Sequence, residues 1–118
     1  MVTVDLVYNR SVLWEEDRVE ALKTVIRTVV ASHLCCNGPR GQIRPSEVII
    51  AVNGLVPGSS SEGYDLALSI TADETPARAR RIEGITRSIH RELKRFPEFI
   101  DLPAYVYTRL HPSAVCVG

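Results

Sequence analysis

The apolar residues of this chain change their period several times, and each change marks an element. The opening VTVDLVY alternates, with Val2, Val4, Leu6 and Tyr8 on one side and Thr3, Asp5 and Val7 on the other, the period of two that a strand requires. From Trp14 to Leu34 the spacing becomes helical, with Val19, Leu22, Val25, Ile26, Val29, Val30 and Leu34 on one face. Glu15, Glu16, Asp17 and Glu20 suit the positive end of that helix, and Gly38-Pro39 lies just past its close. The polar connection NGPRGQIRPS leads to EVIIAVNG, whose β-branched run Val48, Ile49, Ile50 and Val52 predicts a second strand ending near Asn53-Gly54. LVPGSSSEG is small and polar and reads as a loop. A third strand follows in YDLALSIT, where Tyr64, Leu66, Leu68 and Ile70 face one way and Asp65, Ala67, Ser69 and Thr71 the other.

Thr75-Pro76 opens a second helix, because the hydroxyl caps free amides and proline at the first helical position sacrifices no hydrogen bond. It runs to about Arg95 on the stripe Ile82, Ile85, Ile89, Leu93 and Phe96. Its outward side carries Arg78, Arg80, Arg81, Arg87, Arg91, Lys94 and Arg95 beside Glu83 and Glu92. AYVYTRL alternates again and stops before His111-Pro112, and the tail SAVCVG can add an edge strand or reach a neighbouring chain. The order strand, helix, strand, strand, helix, strand predicts an α+β domain of ferredoxin-like or split βαβ layout. Two helices on one face of a four-stranded sheet leave the other face bare, and oligomerisation is the simplest cover.

At 118 residues the chain predicts one domain spanning 1–118. With 45% hydrophobic and 24% charged residues it should bury a core rather than stay disordered. No apolar run reaches the roughly 18 residues of a membrane helix, and the start lacks the order of a secretory signal. The expectation is a soluble, cytoplasmic protein with no membrane partner. Fourteen basic residues balance fourteen acidic ones, so no bulk field draws it to nucleic acid. The basic second helix is a local exception. The strand aromatics Tyr8, Tyr64, Tyr105 and Tyr107 nevertheless make no stacking string of the RNA-binding kind, and no nucleic-acid partner is expected. Cys35, Cys36 and Cys116 match neither a disulfide framework nor a zinc spacing, which suits a reducing compartment. His33, His90 and His111 fall on different elements, so neither a metal set nor a nucleophile triad is expected, and no cofactor.

Several local strings resemble the tautomerase superfamily. Asn9-Arg10-Ser11, after a short first strand, resembles the G-R-S of 4-oxalocrotonate tautomerases, and Pro45 to Val52 (PSEVIIAV) resembles the entry and body of their second strand. Ile43-Arg44, Tyr64-Asp65 and Leu110-His111-Pro112 are similar to strings at the corresponding strands of 5-carboxymethyl-2-hydroxymuconate isomerases. The likeness spans most of the chain. It implies a tautomerase-type β-α-β repeat, a homotrimer whose bare sheet faces close into a shared core, and a small enol or keto carboxylic acid as partner.

In that superfamily an N-terminal proline, freed by loss of the initiator methionine, is the base or nucleophile, and arginines hold the substrate carboxylate. Here Val2 stands second and the family's strand-two arginine falls near Ile49; a retained Met1, the expectation for this chain, would cover the Val2 amine. The resemblance makes Met1, Val2 and Arg10 the catalytic candidates. Arg44 and Arg109 are candidates for the bidentate carboxylate fork, and Tyr107 for a donor to an enolate oxygen. Two readings follow: a divergent tautomerase acting on or binding such an acid, or a noncatalytic trimeric scaffold or small-ligand binder of the same fold.

Overall fold

The alternation of Val2, Val4 and Leu6 is realised as strand β1 (Val2–Asn9), with all three side chains buried. The computed structural model describes residues 2–9, 16–35, 42–55, 65–101 and 103–111. Helix α1 (Glu16–Leu34) follows and buries Leu22, Ile26, Val29, Val30 and Leu34, while Val19 and Val25 of the expected stripe are half-buried at its margin. A single 3₁₀ turn (Pro45–Glu47) then feeds β2 (Val48–Leu55). Strand β3 (Leu66–Asp73), helix α2 (Pro76–Leu93) and strand β4 (Ala104–His111) complete the chain. Trp14, Tyr64, Cys36, Cys116 and the tail lie outside the described residues.

Several boundaries differ from the sequence reading by one or two residues: β3 opens at Leu66, α2 ends at Leu93, β3 runs two residues beyond Thr71, and β4 includes His111. Val2 pairs with Ala72, Asp73 pairs with His111, and the amide of Glu74 donates to the His111 carbonyl at 2.9 Å. The pairing of β3 with β1 and with β4 extends these strands past the point where apolar alternation stops.

The sheet order is β2-β1-β3-β4, parallel at β1/β2 and β3/β4 and antiparallel at the central β1/β3 seam. Each helix therefore joins two strands that touch. In a split βαβ layout another strand would stand between them, so the sheet order selects the tautomerase-type repeat of two complete β-α-β units. Both helices cover the face carrying Val4, Leu6, Leu68 and Ile70, and Ile85, Ile89 and Leu93 supply the contribution of α2. Phe99, in the turns after α2, is fully buried and was not marked by any periodicity.

The opposite face carries Thr3, Asp5, Ile49, Ala51, Ser69, Thr71, Tyr105, Tyr107 and Arg109. Ile49, Tyr105 and Tyr107 are each more than 40% exposed there (53%, 43% and 48%). One residue of the expected outward basic face is misplaced by the sequence reading. Arg78 is buried, because the first turn of α2 sits over the end of the sheet and the Arg78 side chain turns beneath it toward backbone carbonyls.

Candidate functional site

The end of the sheet where β1 and β2 begin is also where β3 and β4 finish. Register fixes what meets there: Val2 lies between Val48 and Ala72, Asp73 lies beside His111, and Thr71 beside Arg109. The 3₁₀ turn leading into β2 places Arg44 just outside the same end, exposed and in extended backbone. This end thus carries Asp73 and His111 near residue 2, with Arg78 reaching the Asp73 carbonyl from the helix side and Arg44 and Arg109 toward the two edges of the sheet.

Arg78 anchors the arrangement. The Thr75 hydroxyl accepts from its amide at 3.1 Å and starts α2. Its Nε donates to the Leu34 carbonyl at 3.0 Å, and its Nη1 to the Asp73 carbonyl at 2.8 Å. Its Nη2 is buried and has no hydrogen-bond partner among the described residues. A guanidinium so deprived of water keeps one donor pair for whatever acceptor reaches it. The Asp73 carboxyl is held below its ordinary value first by a hydrogen bond from the chain's α-amino group. Burial opposes this, while attraction to that amine, to Arg78 and to His111 reinforces it. Asp73 is therefore a carboxylate at neutral pH, able to accept from and orient an imidazole.

The sequence candidates distribute unevenly around this centre. The Val2 side chain is packed in the core, so only its backbone faces the site. Arg44, before β2, and Arg109, on β4, stand toward opposite edges of the sheet. Tyr107 lies on the bare face one pleat further from the end than Arg109, in a row with Ser69 and Asp5. Met1 and Arg10 lie outside the described residues. Asn9, which precedes Arg10, closes the far end of β1, about 23 Å from Val2 at the usual rise per residue. Asp73, Arg78 and His111 went unmarked as site residues in the sequence, His111 being read there as the end of a strand. Thr75-Pro76 fixes the register of α2 and so was the signal that placed Arg78 in its first turn, but the helical wheel alone puts that residue outside.

Elsewhere, His33 is hydrogen-bonded to Glu92 and ties α1 to α2, and the ring of His90 approaches the Ala104 carbonyl at 3.3 Å. Among the described residues no three His, Cys, Asp or Glu side chains are placed to hold a metal ion, and no helix is long and apolar enough to cross a membrane.

No protein-family model matches the sequence, and no curated protein matches it. Solved structures do match, over nearly the whole chain. A 5-carboxymethyl-2-hydroxymuconate delta-isomerase superposes with a TM-score of 0.61 at 10% identity, covering 100% of this chain and 86% of its own. A fused 4-OT described as an asymmetric trimer gives 0.57 at 13% identity, covering 93% and 86%. The protein Pt0534, solved after inactivation by 2-oxo-3-pentynoate, gives 0.57 at 11% identity, covering 93% and 85%. The chain has the tautomerase-superfamily fold.

Proposed function

We propose that this chain assembles as a homotrimer, binds a small enol or keto carboxylic acid, and moves the proton that interconverts the two forms. The observation that carries the reading is the pairing of Asp73 with His111 beside the buried Arg78 at the end of the sheet where β1 begins, with Arg44 and Arg109 at its two edges, on a tautomerase-superfamily fold. Guanidinium groups suit a carboxylate because their paired donors match its two oxygens. Imidazole is the side chain that exchanges a proton near neutral pH, and a neighbouring carboxylate orients it. His111 beside Asp73 takes the part that the family's proline plays elsewhere. Tyr107 stands one pleat away on the bare face as the donor to a developing enolate oxygen.

The trimer supports the same reading. The bare sheet face leaves Ile49, Tyr105 and Tyr107 in water, and one structural neighbour is itself described as a trimer. Arg10 joins the site through another copy, since Asn9 before it closes the end of β1 remote from Val2. The inactivation of another neighbour by 2-oxo-3-pentynoate, an unsaturated 2-oxo acid, supports the substrate class. An exposed free thiol at Cys35 supports a reducing, cytoplasmic setting.

The experiment is ketonisation of phenylenolpyruvate by tag-free protein. Arg10→Ala and His111→Ala should each lower turnover by about a hundredfold or more. Mixing the two inactive variants and allowing subunits to exchange should restore part of it, because some sites then draw an intact Arg10 and an intact His111 from different copies. Unchanged turnover in either variant removes that residue from the mechanism. A second reading, a noncatalytic trimer that binds the acid, is favoured by the valine whose side chain is packed in the core where the family places its base. Saturable binding without turnover in the unsubstituted protein would select it.

A further inference from the structure

A groove of about 450 Å³ runs between α2 and the outer edge of β4, on the helix side of the sheet and away from the site above. It follows from the packing of the helix. The core residues of α2 are Ile85, Ile89 and Leu93, while the flank toward β4 carries Ile82, Thr86 and His90. The Thr86 hydroxyl folds back onto the Ile82 carbonyl at 2.8 Å, so this flank is too short to close against an edge strand that has no outer neighbour. The floor is apolar: Ile82 from the helix and Val106 from the strand are both half-buried there.

Two polar features face that floor. The Thr108 hydroxyl, on the strand wall, is buried and has no hydrogen-bond partner among the described residues. A buried hydroxyl without a partner costs free energy that an incoming acceptor recovers. Arg87 stands at the rim, and its contact with Glu83 is long, at 3.8 Å, with both side chains well exposed. An ion pair of that kind is weak and yields readily to a better-placed anion. Arg80 and Arg81 stand on the adjoining exposed surface of α2, so with Arg87 three arginines face the single carboxylate of Glu83 at this end of the helix, and the local charge favours an anion.

We propose that this groove binds a small amphiphilic anion, its apolar body lying on Ile82 and Val106 and its carboxylate meeting the Thr108 hydroxyl and Arg87. The groove lies on the helix side of the sheet; Tyr107 of the edge strand borders it as well, and is the one residue it shares with the site candidates considered above. Binding in the groove requires no chemistry at the sheet end.

The test uses the full chain, isotope-labelled for amide NMR, titrated with decanoate. Binding with a dissociation constant on the order of 100 µM to 1 mM is expected for a ligand of this size. Shifts should concentrate on Ile82, Thr86, Arg87, His90, Val106 and Thr108. Ile82→Gln should weaken binding about tenfold, Thr108→Val about fivefold and Arg87→Gln about threefold. Ile49→Ser, on the opposite face, should leave it unchanged. Circular dichroism confirms the fold of each variant. Decanol in place of decanoate should bind more weakly. Absence of binding, shifts centred on the bare sheet face or on Ala72 and His111, or equal affinity for all three groove variants would overturn the proposal. So would groove shifts that appear on dilution of the ligand-free protein, since these would show a second copy of the chain seated against β4.

Discussion

A guanidinium that is only 2% exposed must be held by carbonyls or it would not be there, and Arg78 is held by two that belong to different elements, the end of α1 and the end of β3. Arg78→Met should therefore cost about 2–4 kcal/mol in urea unfolding, through two orphaned carbonyls and the lost charged hydrogen bonds. Arg78→Lys should cost less, since one ammonium can still reach one carbonyl; equal losses for the two would show that only packing is at stake. Asp73 adds a pH signature. Its folded pKa lies below its unfolded one, so the stability it confers is complete above the unfolded value of about 3.9 and drains away as pH falls below that toward the folded value. Asp73→Asn should flatten the acid limb of a stability profile measured by urea unfolding, and an unchanged acid limb would show that Asp73 contributes nothing to it. These two residues also mark the limit of reading chemistry from a string. Arg44 and Arg109 could be picked out by type and neighbourhood, whereas His111 reads in the sequence only as the end of a strand, and a buried arginine at a helical position that looks outward is visible only once the position of α2 over the sheet end is known.

Elements were more legible than residues because their signals are local. Proline after a capping threonine set the start of α2 to the residue, and the stripe Ile85, Ile89 and Leu93 set its buried face. Strand ends were less legible, because Asp73 and His111 owe their strand geometry to each other and to Val2 across the sheet rather than to any apolar pattern. Phe99 was missed for the same reason: it sits in irregular turns, where no period exists to read, and is fixed by Lys94 Nζ donating to its carbonyl at 2.8 Å. The physics of α2 gives a paired prediction. Gly84 lies exposed in mid-helix, and a Cβ there would meet nothing within 4 Å. Gly84→Ala should raise stability by about 1 kcal/mol, and Thr75→Ala should lower it by about 1 kcal/mol through loss of the cap. Midpoints of denaturant unfolding for both variants check this, and a loss on Gly84→Ala would mean that the helix exploits the glycine.

For the whole molecule, the uncovered sheet face is the feature that the fold alone leaves unresolved. Three large side chains, Ile49, Tyr105 and Tyr107, share it with small and polar residues, a mixture suited to a subunit contact rather than to a second core layer. The trimer proposed above predicts a light-scattering mass of three times the 13.1 kDa subunit. Ile49→Arg should shift that mass toward the single chain without loss of helical signal. A monomeric unsubstituted protein at micromolar concentration would remove both the trimer and the shared site that draws on Arg10. Element order was enough to expect two helices on one face, but the choice between interleaved and side-by-side units depended on the antiparallel contact of β1 with β3, a long-range pairing that no local period encodes.

That seam has a further meaning. Each side of it is a closed parallel unit with its own helix, and what binds the two sides is the ladder of β1 on β3, the His33–Glu92 link and the double grip of Arg78. The chain is in effect two tiles joined along one edge and roofed by a single apolar core, in which Leu22 and Ile26 of one tile and Ile85 and Ile89 of the other are buried in the same cluster, so that a change at the seam is felt by both.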